Sequence, residues 1–90
     1  MDTPRQRGHV LKHNVLEILK SADLDYALDE LRRIPARQVI NPLFSFLYNS
    51  DEHIKWRSVT AIGAVVTKLA DEDTVSARVI TRRLMWNLND

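Results

Sequence analysis

His9, His13 and Glu17 fall at i, i+4 and i+8, a spacing that lines two imidazoles and a carboxylate along one helix face. Neutral imidazole nitrogens and carboxylate oxygens are the ligands that zinc and related divalent metals take. Positions eight residues apart on a helix are, however, roughly 12 Å apart along its axis, too far to share one ion. The pattern reads as the polar outer face of a terminal helix, and neither metal nor cofactor is expected. Asp71, Glu72 and Asp73 bring three carboxylates together. No acid, base or nucleophile is spaced to work with them, so they read as a charge cluster at a helix start, where the dipole favours negative charge. Ser45, Ser58 and Ser76 are scattered without any serine–histidine–aspartate arrangement. No catalytic residue is assigned, and the chain reads as a non-enzyme.

Arginine supplies the remaining chemistry. Arg32, Arg33 and Arg37 form one cluster and Arg78, Arg82 and Arg83 another. Together with Trp56 or Trp86 they have the makings of a surface that tracks phosphates and stacks on bases. The competing reading pairs Arg32 and Arg33 with Asp29 and Glu30 at a helix C-terminus. Thirteen Lys and Arg against twelve Asp and Glu leave a net charge of +1, which favours the second reading because no global field draws polyanions or membranes. Nucleic-acid binding is therefore the alternative function and protein interaction the first.

These residues need elements to hold them. A chain of 90 residues makes one domain, and its 44% hydrophobic and 28% charged residues suit a folded globule. Cysteine is absent, which removes disulfides and thiolate chemistry. The stretch MDTPRQRGHV lacks the apolar core of a signal peptide, and no apolar run approaches the roughly 18 residues of a membrane span. A cytoplasmic protein is expected.

No segment alternates apolar and polar residues over a strand's length, so the chain reads as all-α. Residues 1–8, with Pro4 and Gly8, read as a flexible lead-in, and residues 9–90 as the domain. Leu11, Val15, Ile18 and Leu19 form a stripe over 9–20. Ser21 or Asp23 caps a second helix over 22–34, striped by Leu24, Ala27, Leu28, Leu31 and Ile34 and ended by Pro35. A third element over 36–48 divides at Asn41-Pro42, read as an N-cap followed by proline at the first helical position. Asp51 caps a fourth helix over 52–70, and a fifth runs over 73–88. Helix starts near His9, Pro42 and Thr74 recur about every thirty residues, the period of helical hairpin repeats.

The segment Asp51-Glu52-His53-Ile54-Lys55-Trp56-Arg57-Ser58-Val59-Thr60-Ala61-Ile62-Gly63 resembles the second-helix signature of HEAT-like repeats of the phycobilisome-lyase type. Asp51 matches the acidic turn, Ile54-Lys55 the aliphatic–basic pair, and Ala61-Ile62-Gly63 the closing small cluster. Trp56 departs from the pattern, and Val59 is larger than the usual alanine. The resemblance implies a right-handed α-α superhelix of about two and a half repeats, a scaffold without catalysis, in which Ile54, Val59 and Ile62 turn inward and Ala61 and Gly63 allow close stacking. It also implies the N-terminal piece of a longer bacterial repeat protein. HEAT-like DNA glycosylases use the same architecture on DNA, which keeps the alternative function open.

Trp56 is read as packing between stacked repeats. The fifth helix carries two stripes: Ala77, Ile80, Leu84 and Leu88 on one, Val75, Val79 and Trp86 on the other. One stripe packs on helices three and four. The other requires a sixth helix, a second copy or another protein, because a repeat array without a polar cap exposes its core. Val75, Val79, Arg82, Met85 and Trp86 are the candidate partner-binding residues.

Overall fold

Aspartates open three of the helices, and each does so through its side chain. Asp23 accepts the Tyr26 N–H at 3.2 Å, Asp51 the His53 N–H at 2.9 Å, and Asp73 the Ser76 N–H at 3.0 Å. Each carboxylate satisfies a backbone donor that the first helical turn leaves unpaired. A computed structural model describes the backbone of residues 4–89 and the side chains of residues 10–89. Among these residues it contains five helices and no strand. They are α1 Pro4–Leu19, α2 Leu24–Arg32, α3 Ala36–Phe46, α4 Glu52–Glu72 and α5 Thr74–Leu88.

Helix α1 starts at Pro4, earlier than its apolar stripe requires, and passes through Gly8. Proline suits a first helical position, where its missing N–H would have had no partner. Helix α3 corrects the expected division at Asn41-Pro42, because it runs unbroken with Pro42 inside it. An interior proline removes the bond to the carbonyl four residues back, here that of Gln38, at a typical cost of about 3 kcal/mol. Burial holds the two halves in one helix: Val39, Ile40, Leu43, Phe44 and Phe46 are all buried, on both sides of the proline. The Ser45 hydroxyl donates back to the Pro42 carbonyl at 2.7 Å.

The core gathers around α4, which packs against each of the other four helices, while α1 also packs on α2 and α3. Val15 and Leu19 from α1, Leu31 from α2, Val39 and Leu43 from α3, and Ala61 and Ile62 from α4 are essentially inaccessible. Each large aliphatic side chain buried in this way contributes about 1.5–3 kcal/mol of hydrophobic stabilisation. The radius of gyration is 12.8 Å. That is close to the roughly 12 Å expected of a folded chain of this length, so the helices surround one core and do not string out.

Two basic residues of α4 tie α1 and α2 to it. The Arg57 guanidinium donates to the carbonyls of Leu19 at 3.3 Å and of Ser21, at the end of α1. The Lys68 ammonium donates to the Arg32 carbonyl at 2.6 Å, at the end of α2. Carbonyls at a helix C-terminus lack intrahelical partners and carry the negative end of the dipole, so both contacts are charge-assisted.

Candidate interaction surface

Helix α5 buries one residue completely, Ala77, and sets Ile80 and Leu84 half-buried against the core. Its outer side carries Val75, Val79, Arg82 and Trp86 at spacings of four, three and four, which keep them on one helix face. Val75 is 72% exposed, Val79 61% and Trp86 74%. Met85, 55% exposed, turns to the flank facing α4. All five candidate partner-binding residues are thus accessible, four as an outer stripe and one beside it.

A groove lies along each flank of this stripe. Toward α4, Val66, Ala70, Ala77 and Met85, with Thr74 and Thr81, line a wide, open depression of about 490 Å³ that Arg78 and Arg82 border on the α5 side. Toward α3, Ile40, Leu69, Val75, Val79 and Ile80 line a smaller depression of about 290 Å³ that Arg37 borders. Scattered apolar surface residues need no explanation, but a helix whose outward side is an apolar stripe between two apolar grooves has the form of an interface.

The structure separates the two arginine clusters. Arg32 pairs with Asp29 at 3.0 Å and Arg33 with Glu30 at 3.7 Å. Arg83 stacks over the Phe44 ring at 4.1 Å and reaches the Asn41 side chain at 3.4 Å, fastening α5 to α3. Arg78 and Arg82 remain exposed, and no ion pair is recorded for either among the described residues.

The acidic triplet is likewise divided. Asp71 and Glu72 lie in the last turn of α4, which corrects their expected place at a helix start; Asp73 alone has that role. The Ser76 hydroxyl donates to Asp73 at 2.6 Å and, with the Ser76 backbone N–H, holds that carboxylate below its ordinary value of 3.8.

Within the repeat-like segment, Ile54, Ala61 and Ile62 are buried, Val59 is half-buried, and Asp51 caps the helix. Lys55 extends over the Trp56 ring at 5.6 Å. Two positions depart from expectation. Gly63 is exposed and a Cβ built on it meets nothing within 4 Å, so no neighbouring helix uses it for a close approach. Trp56 is 53% exposed, so only about half of its side chain is packed. It lies with Leu47, Tyr48, Asn87 and Leu88 at the end where α3, α4 and α5 meet, where the Tyr48 hydroxyl donates to the Asn87 side chain.

Sequence reasoning missed Arg57, Lys68 and Tyr48. Their roles depend on which helix ends come to rest beside them, and no spacing along the chain encodes that. His13 approaches Glu17 at 3.9 Å on the exposed side of α1; the side chain of His9 lies outside the described residues. No group of three metal-ligating side chains occurs among the described residues, and no helix there is long and apolar enough to cross a membrane. Comparisons with protein families, curated proteins and solved structures find no match for this chain.

Proposed function

We propose that this chain is a non-catalytic, cytoplasmic scaffold of HEAT-like hairpins that docks another protein, or a second copy of itself, through the outer side of α5. In this reading α1 with α2 and α3 with α4 are the hairpins of a right-handed superhelix, and α5 opens a third. The buried Ile54, Ala61 and Ile62 of the Asp51–Gly63 segment support it, although the odd-numbered helices begin at Pro4, Ala36 and Thr74, which is not an even thirty-residue period. The observation that carries the functional part is the stripe of Val75, Val79 and Trp86, exposed along a helix whose opposite side is fastened to α4. Nucleic-acid binding is not favoured, because Arg32, Arg33 and Arg83 are already engaged within the chain.

A triple variant, Val75→Thr, Val79→Gln and Trp86→Gln, tests the reading. Side chains that serve only an interface leave the monomer's unfolding free energy within about 1 kcal/mol of wild type when replaced by polar ones. The same variant loses the association made through α5, whether sedimentation detects it with a second copy or a binding titration detects it with a docked partner. A much larger loss of stability would make the stripe part of the fold and end the proposal.

A further inference from the structure

The charge of α5 narrows what covers it. From Thr74 to Leu88 the helix holds three arginines and no carboxylate, and no carboxylate lines the groove between α4 and α5. A symmetric pair of copies joined through α5 would bring Arg78 and Arg82 against their own counterparts, and like charges in apposition oppose association. In α2, Asp29 and Glu30 are already paired with Arg32 and Arg33.

The shape of the groove narrows it further. Val66 and Ala70 on α4, and Ala77 with Met85 on α5, recur at multiples of four, making the rows into which the ridges of a third helix fit. On the exposed side of α4, Gly63 leaves open space where a side chain would stand, and Thr67 and Ala70 follow it at spacings of four and three. A row this small lets a helix axis approach closely.

We propose that the groove between α4 and α5 receives an acidic amphipathic helix of another protein. Its apolar side rests on Val66, Ala70, Ala77 and Met85, and its carboxylates meet Arg78 and Arg82. The inference rests on the reading of α5 as a docking surface and specifies the chemistry of the occupant.

The test titrates the full chain into two fluorescently labelled helical peptides with identical leucine spacing. One carries glutamate at the flanking positions and the other lysine. The glutamate peptide is expected to bind about tenfold tighter at low salt, the sum of two arginine–carboxylate pairs. The variant Arg78→Ala/Arg82→Ala brings the two peptides within about twofold of each other. Ala70→Glu, at an exposed position that leaves the fold intact, weakens the glutamate peptide by about tenfold or more.

Equal binding of both peptides overturns the charge inference while leaving α5 a docking surface. A preference for glutamate that survives the double arginine variant places the site elsewhere and also overturns it. If neither peptide binds but the chain pairs with itself through α5, the occupant is a second copy. If a single-stranded oligonucleotide displaces the glutamate peptide, the arginines serve nucleic acid. If neither peptide binds and the chain stays monomeric, the inference and the docking reading fall together.

Discussion

Helices α4 and α5 both begin at an aspartate cap and pack on one another, yet they place their basic side chains in opposite ways. In α4, Arg57 and Lys68 turn to the C-terminal carbonyls of α1 and α2. In α5, Arg83 lies on Phe44, while Arg78 and Arg82 are exposed and form no ion pair among the described residues. The apolar residues divide similarly. Six side chains of α4 are buried, against Ala77 alone in α5. The helix at the centre of this small domain turns two of its basic side chains to the ends of its neighbours. A helix at the edge keeps apolar area and charge exposed among the described residues, and such surface is where a partner gains most.

Replacing one arginine from each helix probes that difference most directly. Arg57→Ala leaves partly buried carbonyls without their charged donor and is expected to lower the unfolding free energy by about 1–3 kcal/mol. Arg82→Ala is expected to change it by less than about 0.5 kcal/mol, as for surface positions without structural partners. Urea unfolding of both variants measures the pair. Equal losses would abolish the contrast between a central and an edge helix.

Asp73 stands at the junction, closing α4 and capping α5. Its carboxyl is held below 3.8 by the Ser76 hydroxyl and then the Ser76 N–H, so the folded chain binds that proton less readily than the unfolded chain does. The resulting stability is fully present above the unfolded value and is lost as pH falls through the folded one. Asp73→Ala is therefore expected to lower the melting temperature at neutral pH, and the gap to wild type is expected to close as pH drops below about 4. A gap of constant size in thermal melts from neutral to acidic pH would show that the cap does not depend on the ionised carboxylate.

What the sequence made legible was local. Asp23, Asp51 and Asp73 announce helix starts because a cap acts within three residues, and the stripes of α1 and α2 follow from helical spacing alone. The two stripes of α5 were readable for the same reason: a single helix cannot bury both sides on one layer of neighbours. Pro42 misled because its helix is held by contacts with residues far away in the chain, which override a local breaker. Arg57 and Lys68 carried no signal, since a basic residue beside an apolar stripe looks the same whether it faces water or a neighbouring helix end. Trp56 showed the opposite failure. Its size suggested packing, while its position on the outer side of α4 leaves it half in solvent.

Gly63 gives the smallest effect and the finest test of the comparison. It sits in the middle of α4, on the side away from the core, with open space where a Cβ would stand. Glycine in a helix interior loses more backbone entropy on folding than alanine does, so Gly63→Ala is expected to stabilise the isolated chain by about 0.5–1 kcal/mol. That gain would show that the outer side of α4 is as uncovered as that of α5 when the chain is alone. The same variant adds a methyl group to the row that a docked helix would approach. A gain in unfolding free energy together with weaker binding of the glutamate peptide would place the partner over Gly63. A gain without any change in binding would confine the partner to the α5 side of the groove. A loss of stability would mean that the domain already covers this position, and the distinction between a satisfied α4 and an open α5 would have to be drawn along another face.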